Sequence, residues 1–286
     1  MGVAVTLARR NARSTNKRRR AGGWQLGRLL PSAHTRQRWV KKFRRAPGAV
    51  QLTVLTVVFV ALFVAVNWSY QVIRKPSELF FPISGQFYKD PAETWRAYGR
   101  LFERHSTPVM TPDLLAALAQ VEGSGNPIVR TYWRFSLTNE PFEIFRPASS
   151  AVGMYQITDG TFTIARRYCV HRHRVVEEGP WYDFKSCWLN ELYTRTVPSH
   201  AVEMTAAYLD RGVADTLGRH PGLRATLAQK QTLATMMHLC GAGAAAEYAR
   251  RGLTLTAGQR CGSHDARSYV GRVVSMQRRF KALAES

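Results

Sequence analysis

The chain has no acidic residue before Tyr70. Residues 1–46 carry 14 Lys and Arg with neither Asp nor Glu, whereas residues 71–286 carry 27 basic against 19 acidic residues. Without internal counter-charge, a run such as Lys17-Arg18-Arg19-Arg20 suits an anionic partner, either nucleic acid or anionic lipid. Cysteine is scarce and late: Cys169, Cys187, Cys240 and Cys261 are the four. Their spacings fit no zinc pattern, which excludes zinc ribbons and fingers. Alternation long enough to build a large sheet is missing, as are an internal repeat and a Gly-rich phosphate loop. Large β folds, solenoids and P-loop nucleotide enzymes are therefore excluded.

What is present begins with Gly48–Val66, apolar apart from Gln51, Thr53 and Thr56 and followed by Trp68 and Tyr70. About 20 apolar residues span a bilayer, and Trp and Tyr favour its interface. Lys41, Lys42, Arg44 and Arg45 stand directly before this run and orient the N-terminus to the cytoplasm. A cleaved signal peptide would have a shorter basic region and a small-residue cleavage site. Residues 47–70 therefore read as an uncleaved transmembrane helix, and residues 1–46 as a disordered basic cytoplasmic tail that touches lipid and not nucleic acid. Everything beyond faces a periplasm, where cysteines pair. Adjacency in sequence favours Cys169–Cys187 and Cys240–Cys261 over other pairings, with free buried thiols as the alternative.

Residues 71–91, with Pro76, Pro82 and Pro91, read as an extended linker. Helical patterns then dominate residues 92–286. Pro91–Arg104 is amphipathic through Trp95, Tyr98, Leu101 and Phe102. Thr158 opens a helix to about Cys169, and Ser199 one from His200 to near Leu217. Arg224–Leu239 is apolar at helical spacing, and Ser263 opens a last helix to about Ala284. The expected fold is mainly α, one core of about 200 residues with a small irregular or β-like edge, preceded by one transmembrane helix.

One stretch, Thr111–Ile157, organises the rest. Thr111 in the N-cap position, Pro112 and Asp113 start a helix whose Leu114, Ala117, Leu118 and Val121 form a buried face. Gly123 and Gly125 stop it. Glu122 lies at the edge of that face beside the negative helix end, where its charged form is disfavoured. That suits a proton donor, although a solvated glutamate in a last turn is the plainer reading.

Glu122-Gly-Ser-Gly-Asn126-Pro127, followed by Ser150-Ala-Val-Gly153-Met154-Tyr155-Gln156-Ile157, resembles the lytic transglycosylases of the SLT type, lysozyme-like enzymes that cleave peptidoglycan. That family carries Glu-Ser-x-x-Asn-Pro at a helix end and then a Gly-Leu-Met-Gln-Ile stretch lining the sugar cleft. Gly123 replaces the usual Ser, and Tyr155 departs from the Leu-Met pair. Downstream, Met236-Met-His238-Leu239-Cys240-Gly241-Ala-Gly243 resembles the family's Ala-Tyr-Asn-Ala-Gly-x-Gly, with His238 and Leu239 in place of Tyr and Asn. Asp265-Ala-Arg-Ser-Tyr269-Val270 resembles Glu-Thr-x-x-Tyr-Val. The likeness covers about 110–275, interrupted by insertions. It implies a lysozyme-like α domain with its β edge at the cleft, Glu122 as the single catalytic acid, and Tyr269 as the residue holding sugar or carboxylate. It places Ser150, Gly153, Met154, Tyr155, Gln156 and His238 along the glycan. His238 on its own residues reads as a packed, hydrogen-bonded side chain and Tyr269 as core.

The activity this implies is cleavage of the bond between N-acetylmuramic acid and N-acetylglucosamine with 1,6-anhydro ring closure, needing neither metal nor cofactor. The implied partners are peptidoglycan strands, the bacterial inner membrane and an envelope protein complex. A lysozyme-type hydrolase using the same Glu122, a non-catalytic glycan-binding scaffold and a DNA-binding membrane protein are the other classes. The insertion Ile128–Ala148, with Tyr132, Trp133, Phe135, Phe142 and Phe145, either extends the glycan cleft or packs on the protein. Its Glu140 and Glu143 read as solvated or paired.

Overall fold

A computed structural model describes residues 32–80 and 82–286; the basic tail before Ser32 lies outside them. The protein is mainly helical, and the chain divides into two compact units, residues 1–62 and 63–286. In the first unit, Ala33–Arg44 is a helix (α1), so this part of the tail is ordered where disorder was expected. Ser32 caps it, and Lys41, Lys42 and Arg44 sit at its negative end. Gly48–Arg74 is a second helix (α2), which starts in the first unit and ends in the second; it is the one among the described residues that is long and apolar enough to cross a bilayer. It runs two turns past the apolar stretch, and its Asn67 and Gln71 are buried.

In the second unit, residues 71–91 are not an extended linker. After α2 come short 3-10 turns at Pro76–Phe80 and Ser84–Phe87, with Glu78 fully buried. Pro91–Arg104 (α3) starts on a capping box between Asp90 and Glu93. Pro112–Gly123 (α4) is the centre of the fold. Leu114 to Ala119 are buried on every side and not on one face alone, because α3 and the last helix, Ala266–Glu285 (α8), both pack on α4.

Trp133–Phe135 (β1) and Phe145–Pro147 (β2) pair antiparallel, Trp133 opposite Pro147. The helix opened by Thr158 ends at Ala165 (α5), four residues short of expectation. Tyr168–His171 (β3) and Arg174–Glu177 (β4) form a hairpin instead. Cys169, Val170, Val175 and Val176 favour a pleated surface, and the turn at Arg172-His173 is left-handed at both residues.

Pro198–Gly218 (α6) starts from Val197 and not Ser199, with Pro198 in the first helical position. Leu227–Arg250 (α7) breaks at Gly241, whose φ of 79° is open to glycine. Arg260–Cys261 (β5) and His264–Asp265 (β6) make a small hairpin. Asp265, not Ser263, then caps Ala266–Glu285 (α8), accepting from Ser268 N–H at 2.8 Å. Disulfides join Cys169 to Cys187 and Cys240 to Cys261, with Cα separations of 5.6 and 5.2 Å. This is the pairing favoured by adjacency.

Candidate active site around Glu122

Glu122 ends α4 as the helix leaves the core, and its side chain is 19% exposed. Two consecutive left-handed residues stop the helix, Ser124 (φ 47°) and Gly125 (φ 64°), not the two glycines alone. Their N–H groups reach back to Gln120 and Ala119 carbonyls at 3.0 and 3.2 Å. Thr111 leaves the other end without a side-chain cap; its hydroxyl accepts from Gln231 Nε2 at 3.1 Å and ties α4 to α7.

Gly123 is required by contact. A Cβ there would lie 2.9 Å from Met154 Cα and O and from Val129 Cγ1. The loop Ser150–Ile157 therefore packs directly on the residue after Glu122. Gly153 (φ 79°) lets that loop pass Arg195, whose carbonyl a Cβ would meet at 2.2 Å. Val152 and Ile157 exchange N–H···O bonds of 3.1 and 3.0 Å, and Gly153 N–H donates to Val129 at 3.1 Å. These are isolated β-bridges, and they lie in the loop that packs on Gly123. Gln156, left-handed at φ 48°, donates to Gly153 and Val129 carbonyls at 3.0 and 3.3 Å.

The helix α8 brings Tyr269 to the same place from 147 residues away, and its hydroxyl donates to Glu122 Oε1. From α7, His238 Nε2 stands 3.9 Å from that oxygen. Burial raises the Tyr269 phenol far above its ordinary value, helped by the Glu122 charge and hydrogen bond, so it is a permanent donor. Burial lowers the His238 imidazole despite the opposing pull of Glu122, so the ring is neutral near pH 7. The carboxylate thus meets a fixed hydroxyl and a neutral ring and no full positive charge from either. His238 also lines a cavity of about 220 Å³ with Gln156, Thr158, Thr205, Tyr208 and Leu239.

Glu122, Tyr269, His238 and Gln156 come together here, as does the Gly153 backbone. Two residues expected on the glycan surface do not. Met154 and Tyr155 have no exposed surface. Tyr155 donates to the Leu115 carbonyl at 3.1 Å inside the core, so both are packing residues that hold the loop down. Ser150 is half-buried and bracing: its hydroxyl accepts from Asp159 N–H at 3.1 Å, and its carbonyl accepts from Arg195 at 2.9 Å. Cys240–Cys261 ties the break in α7 to the hairpin that starts α8, so it joins the segments bearing His238 and Tyr269.

Two supports carried no role at the level of sequence. Arg195 Nη1 donates to the Ser150 and Ile157 carbonyls, both at 2.9 Å, and pairs with Asp159 at 2.8 Å. A lone Arg in an insertion has no spacing that announces this. Asn126 is fully buried, donating to Ser84 O at 2.6 Å and accepting from Ile128 N–H at 2.9 Å. Its Asn-Pro wording marked the position without its role. The aromatic insertion packs on the protein only in part: Phe142 stacks on Tyr70 at 5.0 Å and Trp133 Nε1 donates to Glu78 at 2.8 Å, while Tyr132 and Phe135 stay exposed. Glu143 is paired, with Arg74 at 3.1 Å and Arg146 at 2.6 Å. No protein-family model, curated protein or solved structure matches the chain.

Proposed function

We propose that the chain is a membrane-anchored lytic transglycosylase, acting on peptidoglycan in the periplasm from a bacterial inner membrane. The observation that carries this reading is the Tyr269 hydroxyl on Glu122 Oε1. The resemblance named these two residues as an acid and its holder, and they lie in segments remote in sequence. The half-buried position of Glu122 at a helix end, beside a β-like loop and a neutral His238, supports the same chemistry.

Protonated Glu122 donates to the oxygen linking N-acetylmuramic acid to N-acetylglucosamine, and the bond from that oxygen to the muramic C1 breaks. The substrate's own acetamido oxygen stabilises the cation-like sugar, the substrate-assisted exception to paired-carboxylate hydrolysis. The C6 hydroxyl oxygen then bonds to C1 and passes its proton to Glu122, closing the 1,6-anhydro ring and restoring the acid. No water is consumed. Tyr269 and His238 both address Oε1, which leaves Oε2 as the oxygen for proton transfer.

Treating sacculi with the full chain and then reducing the products with borohydride tests the reaction type. Anhydro ends resist reduction, as the proposal requires; reducible ends would make the protein a lysozyme-type hydrolase.

A further inference from the structure

The hairpin β1–β2 lies against the end of α2 and points back along it. Lys75 Nζ reaches Thr131 Oγ1 and the Ser149 carbonyl at the hairpin's base, at 3.4 and 3.1 Å. One turn earlier, Gln71 Nε2 donates to the Phe142 carbonyl at 2.7 Å, and two turns earlier Asn67 Nδ2 donates to the Phe145 carbonyl at 2.7 Å. The base is clamped through Glu78, which meets Lys75 at 3.3 Å and Arg130 at 3.2 Å besides Trp133. From Lys75 back to Asn67 is about 12 Å at a helical rise of roughly 1.5 Å per residue. From Ser149 to Phe145 is about 13 Å at roughly 3.3 Å per strand residue. Phe145, and Phe135 across from it, are thus held at the level of Asn67, next to Val66 at the end of the apolar stretch, while Phe142 and Glu143 fold back toward Gln71 and Arg74.

What the hairpin carries at that level is apolar and exposed. Phe135, across from Phe145, is 67% exposed and Leu137 is 87% exposed. Single exposed apolar residues are ordinary, but a cluster held beside the end of a membrane-crossing helix has a defined neighbour. The polar Thr138-Asn139-Glu140 in the same loop and the exposed Arg134 limit the depth to the headgroup layer. We infer that the β1–β2 hairpin is a second membrane contact, with Phe135 and Leu137 seated in the lipid interface. The inference rests on α2 crossing the bilayer and not on the chemistry at Glu122.

The described cysteines are all in disulfides, so a nitroxide can be placed on single introduced thiols. Full-length protein in lipid nanodiscs carries the label at Leu137→Cys, at Phe135→Cys as a second reporter, at Phe59→Cys in the apolar run, and at Lys281→Cys on α8. The inference expects labels 135 and 137 to collide with oxygen more than with a water-soluble nickel chelate, between label 59 and label 281. Labels 135 and 137 as aqueous as 281 would overturn it. So would concentration-dependent broadening at 137, which would give the patch to a second copy of the chain. Shielding by added glycan strands without lipid would also overturn it. An aqueous label 59 would remove the span and the hairpin contact together, whatever Glu122 does.

Discussion

Tyr269 and His238 approach one oxygen of Glu122, and each has a separable consequence. Tyr269→Phe removes only the hydroxyl. A hydrogen bond to a charged group contributes roughly 1.5–3 kcal/mol, so turnover should fall about 10- to 100-fold if the bond matters at the transition state. Initial rates on sacculi and a thermal melt check this; an unchanged rate would leave Tyr269 as packing. His238 speaks through pH. Its folded value lies below the ordinary 6.5, so as pH falls through about 6.5 the unfolded chain takes up a proton that the buried ring refuses. Stability is therefore present above that value and declines below it. His105 and His200 are lowered by burial in the same way and add to the decline. Melts from about pH 7 to pH 5 should show a shallower fall in the His238→Gln variant than in the wild type.

At the scale of elements, the long helices α3, α4 and α8, and α7 as far as its break at Gly241, were legible because apolar residues at three-to-four spacing report burial directly; the continuation of α7 to Arg250 was not expected. The meeting of Glu122 with Tyr269 was legible only through wording, since no periodicity connects positions 147 residues apart. The β3–β4 hairpin was missed because four-residue strands barely show alternation and its left-handed turn uses Arg172 and His173, not Gly or Asn. The starts of α6 and α8 were misplaced by two residues because Ser199 and Ser263 imitate caps that Val197 and Asp265 occupy. Tyr155 read as cleft because an exposed and a buried tyrosine look alike in sequence, and a carbonyl of α4 satisfies its hydroxyl. The same crowding makes Gly123 testable. Gly123→Ser would drive a Cβ into the Met154 backbone. Overpacking of this kind costs about 1–3 kcal/mol, so the variant should melt lower, with activity falling alongside. A melting temperature equal to wild type would mean that the loop has room to move.

For the whole molecule, two disulfides and, among the described residues, one helix apolar enough to cross a bilayer stand in a single chain whose acidic residues all follow Tyr70. A reporter fused to the C-terminus should accordingly be active when it is alkaline phosphatase and silent when it is β-galactosidase; the reverse would place Glu122 away from the wall. The central claim is that one carboxylate acts as acid and then as base. Glu122→Gln keeps the size of the side chain and an oxygen for the Tyr269 hydroxyl but cannot exchange a proton. Positioned proton transfer contributes on the order of 10²–10⁴-fold, and with both steps lost the deficit should reach the top of that range or exceed it. The variant should melt at or above the wild-type temperature, since it takes a carboxyl group from the negative end of α4, where Glu122 is half-buried. Mass spectrometry of sacculi digested by the two full-length proteins decides the matter. The account predicts 1,6-anhydro-muropeptides from the wild type and none from Glu122→Gln; anhydro products from the variant at a comparable rate would contradict it.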